Sequence, residues 1–434
     1  MKIQVLVLLF CLYSVMAVAQ TASEKVILIK AGKFYNSEKA QFVKNQEILI
    51  RGNSVVEVGD KVSRPKDVEV IDLSTCTITP GLIDAHTHLL LYLKKSAEAD
   101  PMVVDALLTS DADRVLRGAH IARTYLEAGI TTIRDLGNSG KYLDVALRDA
   151  INKGYVAGPR MFVSGPILSP VGGQFYGLAY WQKNVSEQEY RIIKNVDDAR
   201  FAVKEQLTFG ADLIKICSNN SPNSLLLTVD EIKAIVETAH QYNRKVTAHA
   251  TYDKAVRNAV LAGVDGIEHA YDLSDSTLAI MASRGSYLVP TDVSFQQGLL
   301  RVKNKYGKTG PEAEQMVNEF LALTHKRIKR AHEQNVMIVA GSDYYDDLGV
   351  KPGDGAKDVL IAYVEAGFSP AQVLQFATFN AAKALGNTRV GKLSKGSYAD
   401  LAAFDGDLEK DFNQVLSKVK LVMKDGKILA QPHN

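Results

Sequence analysis

Three cysteines in 434 residues, Cys11, Cys76 and Cys217, are too few for a disulfide framework, and a cysteine-based zinc site is excluded by number. Cys11 lies in the N-terminal segment, and the other two read as small buried residues. An excess of charge of one sign is also missing: Lys plus Arg is 51, Asp plus Glu is 49, and the net charge is +2. That balance gives no electrostatic reason to expect nucleic acid or an anionic membrane as partner. Beyond the first 19 residues no stretch is apolar enough to span a bilayer.

What is present is an ordinary globular balance, 46% hydrophobic and 23% charged, over a length that suits a barrel of roughly 250–350 residues plus a small accessory domain. Lys2 precedes the apolar run IQVLVLLFCLYSVMAVA, and Ala17-Val18-Ala19 supplies small residues before Gln20. This reads as a signal peptide over residues 1–19, hence a secreted or periplasmic protein. An uncleaved anchor is the alternative, opposed by the short run and the cleavage-like site.

From about residue 20 to 78, short β-like runs alternate with turns: KVILIKAGKFY, EILIRGNSVVEVG, VEVIDL. GKLSKGSYADLAAFDGD and KVKLVMKDGKILA repeat that style near the other end, so a small β-sandwich domain is expected from 20–78 and 389–434. Between them, over 79–388, strand-like and helix-like segments alternate. Eight candidate strands are GLIDAHTHL (81–89), ITTIRDL (130–136), RMFVSGP (160–166), DLIKICS (212–218), KVTAHA (245–250), GIEHA (266–270), SYLVPTD (286–292) and VMIVAGSD (336–343). Eight such units predict an α/β fold, a (β/α)8 TIM-type barrel. A doubly wound open sheet is the alternative, disfavoured because no glycine-rich phosphate fingerprint follows the first strand.

Barrel chemistry sits at the C-terminal strand ends. There the sequence places His86 and His88, Lys215, His249, His269 and Asp343, using four of only nine histidines. Alternation puts His86 and His88 on one face of a strand, so both imidazoles can serve one ion. On the fourth strand Lys215 shares a face with Cys217, opposite Ile214 and Ile216. Each residue alone has a bland explanation: a core histidine, a snorkelling lysine, an aspartate capping a helix. Their joint placement does not, because charges buried together must be paired or bound to metal.

PGLIDAHTHL, LIKIC, TAHAT, GIEHA and AGSD, with FATFNAAKALG (376–386) and GKLSKGSYADL (391–401), resemble the amidohydrolase superfamily, in particular its imidazolonepropionase-like and Xaa-Pro-dipeptidase-like members, over nearly the whole mature chain. The resemblance implies two divalent metal ions, with zinc favoured by the donor types. His86 and His88 would hold the more buried ion and His249 and His269 the more exposed one. Lys215 would carry a carbamate bridging both. Asp343 would ligate the buried ion and act as the catalytic proton acceptor. It implies hydrolysis of amide or peptide C–N bonds in dipeptides, Xaa-Pro among them, or in N-acyl amino acids; a cyclic-amide or imidazolone hydrolase or deaminase is the alternative, and a non-enzymatic binding protein a third. The partner is then a small molecule or dipeptide; a homo-oligomer is compatible.

Specificity is expected in the loops after the strands. Where many dipeptidase-like relatives read Gly-Gly-His, this chain has Gly172-Gly173-Gln174. Gln174 and Tyr252 are candidate substrate contacts. Trp181, Phe175, Tyr176 and Tyr180 form a candidate aromatic wall, with ordinary loop packing as the equal alternative. Arg134 and Arg160 are either carboxylate binders or structural ion pairs, and Asp346-Asp347 is either a cation attractor or a solvated loop.

Overall fold

The computed structural model describes residues 25–94, 100–175, 178–220 and 224–430; the expected leader over 1–19 lies outside them. The chain opens with β1 (Val26–Asn36), β2 (Gln41–Arg51), β3 (Ser54–Gly59) and β4 (Glu69–Pro80). There follow β5 (Leu82–Thr87), β6 (Ile130–Asp135), β7 (Arg160–Val163), β8 (Ile167–Ser169), β9 (Tyr190–Ile192), β10 (Ile214–Cys217), β11 (Val246–Ala250), β12 (Gly266–His269) and β13 (Tyr287–Val289). It ends with β14 (Leu401–Asp405), β15 (Val419–Lys424) and β16 (Lys427–Ala430).

Strands from the two chain ends share one seven-stranded sheet, ordered β16-β15-β14-β4-β1-β2-β3. Its apolar face gathers Ile27, Ile29, Ile48, Ile50, Ile78 and Leu401 into a core of its own. The central segment builds two parallel sheets, β5-β6-β7 and β13-β12-β11-β10-β8-β9. Every residue of β10 and β12 is buried, as expected of strands covered on both faces. Helices separate them, and the sequence dictates their limits. Thr228 and Glu231 close a reciprocal capping box before Val229–Gln241, and left-handed Gly263 and Gly285 end Asp253–Ala262 and Asp275–Arg284.

Backbone bonds tie the two parallel sheets together at two places, one at the start of β10 and one beside β13. On one side Asp212 N donates to Val163 O at 2.8 Å. On the other, residues 336–343 lie between β13 and β5: Leu288 N donates to Met337 O and Ala85 N to Ala340 O, each at 2.9 Å, and Asp343 N donates to His86 O at 2.8 Å. This segment, expected as a strand, forms only one bridge, Leu288 with Ile338. Gly341 explains how it fits: a Cβ there would lie 2.7 Å from His86 Cβ and 2.5 Å from Val289 Cγ1. Two three-residue strands, β8 and β9, have no counterpart among the eight candidates because their runs are too short to show a period.

Among the described residues, no helix is long and apolar enough to cross a membrane. Cys76 and Cys217 are free and buried, as their rarity suggested.

Candidate metal centre

The strand ends converge on one cavity of about 150 Å³, whose wall includes His86, His88, Lys215, His249, His269 and Asp343. His86, His269 and Asp343 bring donor atoms within 4.8 Å of one another. Asp343 Oδ1 lies 3.4 Å from His86 Nε2 and 3.3 Å from His88 Nε2. The His249 and His269 ring centroids are 4.6 Å apart. Alternation on β10 turns both Lys215 and Cys217 into the cavity.

Backbone conformation helps aim these groups. His269, Thr291 and Asp343 have φ of 71°, 56° and 49°. For residues other than glycine each such departure costs about 1–3 kcal/mol and persists only where surroundings impose it. At the end of β12, φ of 71° breaks the alternation, so that consecutive Glu268 and His269 both reach the site.

Hydrogen bonds fix three imidazole tautomers. Glu268 Oε2 accepts from His86 Nδ1 and Gly137 O from His88 Nδ1, both at 2.7 Å. Thr291 Oγ1 donates to Pro290 O and therefore accepts from His269 Nδ1, at 2.8 Å. In each ring Nε2 is left as a lone-pair donor, the arrangement a metal ion needs.

Two further polar atoms, Lys215 Nζ and His249 Nε2, are buried without a hydrogen-bond partner among the described residues. A buried polar atom without a partner costs about 1–3 kcal/mol, and two at one site need an explanation. Burial depresses the Lys215 ammonium below its ordinary pKa. Burial, with the Lys215 charge, pulls His86 down to about 4 and His249 to about 3. Burial works against the Asp343 charge, yet the surrounding imidazoles hold its carboxyl well below the usual carboxylate range. Burial likewise lowers His269, whereas Asp343 outweighs burial at His88 and raises it. The site at neutral pH thus offers three neutral imidazoles, a fourth paired with an ionised carboxylate, and a lysine with reduced affinity for its proton. That donor set suits divalent cations.

The depressed histidines carry a consequence for the metal-free protein. Unfolded histidines take protons near pH ~6.5, whereas folded His86 and His249 wait until about 4 and about 3. Below pH ~6.5 the unfolded state binds more protons, so stability is present above that pH and is lost as pH falls toward those folded values. Calorimetric melts of chelated protein should show the midpoint falling through this window; a flat midpoint would contradict the neutral burial of these rings.

Other sequence candidates separate. Gln174 lines the cavity, donating Nε2 to Cys217 Sγ at 3.3 Å. Tyr252 stands at the N-cap of Asp253–Ala262, packed against the main core, and is not among the residues lining the cavity. β11 ends at Ala250, so strand alternation no longer directs a side chain two residues later. The aromatic wall is corrected. Trp181 and Tyr180 are 83% and 82% exposed, while Phe175 is buried against Tyr190; Tyr176 lies outside the described residues. Arg160 pairs with Asp425 at 2.6 Å and Asp400 at 3.3 Å, joining the start of β7 to the terminal sheet. Asp346 faces Arg301 at 3.5 Å, and Asp347 accepts from Tyr92 at 3.0 Å.

Sequence reasoning missed Glu268 and its partner role for Arg134. The fully buried glutamate receives His86 Nδ1 on one oxygen and, on the other, Arg134 Nη2 at 2.6 Å together with Thr247 Oγ1. An acidic residue inside a strand with no exposed face was the available signal. Asn138, Tyr190 and Tyr345, which complete much of the wall, carried none.

The family model described as amidohydrolase family matches residues 77–429. The chain belongs to the amidohydrolase family. This amidohydrolase is 27% identical over 460 residues to the ochratoxinase of Aspergillus niger, across 96% of this chain and 89% of that one. A prolidase solved in complex with N-methylphosphonate-L-proline aligns with a TM-score of 0.80 at 26% identity, covering 94% of this chain and 100% of that one. A Xaa-Pro dipeptidase with methionine bound in its active site gives 0.79 at 27%, covering 93% and 100%. Such relatives make this chain a hydrolytic enzyme acting on C–N bonds, in a family that generally depends on metal.

Proposed function

We propose that this amidohydrolase uses two divalent ions, zinc by donor type, to hydrolyse the amide bond of dipeptides, Xaa-Pro among them, or of N-acyl amino acids. The observation that carries this reading is the pair of orphaned atoms, Lys215 Nζ and His249 Nε2, buried beside three imidazoles already locked in the metal-ready tautomer. The two parallel sheets, bonded to one another at two places, are read as one closed barrel of eight β/α units, residues 79–388, with the terminal sheet as a second domain. The names of the prolidase and dipeptidase relatives support the substrate class.

In this reading His86, His88 and Asp343 hold one ion, His249 and His269 the other. Lys215, as a carbamate, would supply oxygen ligands to the ions. The depressed ammonium pKa favours it, since the free amine is the form that adds carbon dioxide. Bound ions would supply a Lewis acid and a water acidified toward a pKa of about 7. The chain does the rest. Asp343, ionised and within reach of three imidazoles, accepts the attacking water's proton and returns it to the departing amine. Gln174, Asn138 and Tyr190 present neutral polar groups, and Leu91, Met102 and Ile167 apolar surface. At about 150 Å³ the cavity admits the reacting group and one modest side chain, so the remainder of the substrate lies across the mouth. The leader proposed at residues 1–19 would place the enzyme outside the cytoplasm.

A dipeptide library presented to zinc-loaded protein, scored by amine release, tests the reading. Turnover should vanish on chelation and return with metal. Asp343→Asn should lower kcat by about 10²–10⁴-fold with the fold intact, the range expected for losing a proton-transfer group. Wild-type kcat in that variant would remove Asp343 from the mechanism.

A further inference from the structure

The loop and helix after β13 follow a strand end, where specificity is expected, and the reaction scheme leaves the arginine there unused. The helix Phe295–Tyr306 carries Arg301. Its guanidinium donates no hydrogen bond among the described residues, and its Nε is buried without a partner. Its nearest acid is Asp346, 3.5 Å from Nε, too far for a hydrogen bond.

Other cations near the cavity are committed. Arg134 spends its donors on Ala85 O, Tyr287 and Glu268. Arg327 bonds Asp292 and the carbonyls of His269 and Pro290. Arg301 alone among these has a fork to offer, and a third of its side chain remains accessible.

Arg301 is not itself in the cavity wall, but Asp346, which it faces, directly follows the wall residue Tyr345. Tyr345, next to Asp346, lines the cavity, its ring nearly perpendicular to that of His88 with centroids 5.7 Å apart. Tyr271, on the same wall, stacks over His269 at 5.7 Å. Burial opposes the Arg301 charge, and Asp346, Tyr345, Asp343 and Tyr271 more than offset it, in keeping with the Asp346 contact that ties the guanidinium to the segment carrying Tyr345 and Asp343. The described wall itself has only neutral groups facing the ligand residues: Asn138, Gln174, Tyr190, Cys217.

We infer that Arg301 is the specificity-determining residue for the carboxylate of the substrate's leaving amino acid, its two terminal nitrogens forming a bidentate pair at the cavity mouth. The inference rests on the hydrolase reading and deepens it. An uncharged side chain occupies the neutral pocket, the scissile amide meets the ligand cluster, and a free C-terminal carboxylate meets the rim cation. C-terminally blocked peptides then lose the contact with the rim cation.

The test compares the dipeptide turned over fastest in the library with its C-terminal amide, using zinc-loaded full-length wild type, Arg301→Met and Arg301→Lys. The wild type should favour the acid, and Arg301→Met should lower kcat/KM for the acid by about 10- to 100-fold, the span of a charged hydrogen bond of about 1.5–3 kcal/mol, so that the preference collapses. Arg301→Lys should retain part of it, keeping charge but losing the fork. A second arm measures binding of L-proline against L-prolinamide by calorimetry. It needs no turnover, so a preference lost in Arg301→Met supports the inference even if no dipeptide is cleaved. Retention of the wild-type acid preference by Arg301→Met in both arms would overturn it, while leaving the hydrolase reading standing.

Discussion

Lys215→Met is expected to abolish turnover and, at the same time, to stabilise the metal-free protein. Lys215 is 2% exposed and its Nζ has no partner. In the absence of metal it is a polar terminus sealed into a wall between apolar Ile214 and Ile216, at the cost of an unsatisfied buried group, about 1–3 kcal/mol. Methionine has similar length and an unbranched stem, so it fills the same channel without the desolvation penalty. The metal-free variant should therefore melt higher, by the equivalent of about 1–3 kcal/mol. Zinc should reverse the order. Wild type gains stability by binding, and the variant, lacking the group proposed to serve both ions, gains far less. Turnover should fall by at least about 10³-fold, because water activation depends on the bound ions. Calorimetry with chelator and with zinc, beside a dipeptide assay, reads all three. A metal-free variant less stable than wild type would mean that Lys215 has a structural partner; turnover within about tenfold would remove it from the metal site.

This opposition between stability and function also explains which parts of the site could be read before any coordinates. Residues that are expensive to bury stand out in sequence. A lysine between isoleucines, paired histidines at i and i+2, and an aspartate ending an apolar run are each costly in a core, and the structure draws all six side chains to one cavity. Alternation sufficed to put Lys215 and Cys217 on the same wall. It failed where the backbone leaves the strand. His269 at φ of 71° breaks the period, so Glu268 was assigned no role although it touches His86. Tyr252, two residues past β11, follows the helix it precedes rather than the strand. Residues 336–343 read as a strand from their apolar run, yet make one bridge, because Gly341 and Asp343 serve close approach and aim rather than pairing. Exposed aromatics such as Trp181 were the least legible, since loop composition does not say which way a loop faces.

Glu268 therefore supplies the second large effect. Its carboxylate is fully buried and held well below the usual range: burial opposes the charge, and Arg134 with His86 overrides it. One oxygen fixes the His86 tautomer at 2.7 Å, and the other neutralises Arg134 at 2.6 Å. Two roles are thus superimposed, neutralising a buried guanidinium and aiming a ligand, and they can be separated. Glu268→Leu alone strands the Arg134 charge and should cost about 3–5 kcal/mol of stability. Adding Arg134→Met removes the stranded charge. The double variant should recover most of that loss, because an apolar replacement of a buried ion pair is often neutral. Metal affinity should not recover. Without its acceptor, His86 is free to rotate and to change tautomer, and loss of such a partner typically weakens binding about 10–100-fold. Competition of the double variant against a chromophoric chelator, measured with chemical denaturation on the same samples, gives the two quantities independently. If zinc affinity returned along with stability, Glu268 would be a counter-charge for Arg134 and nothing more, and the orientation of His86 would have to come from the packing of β5 alone.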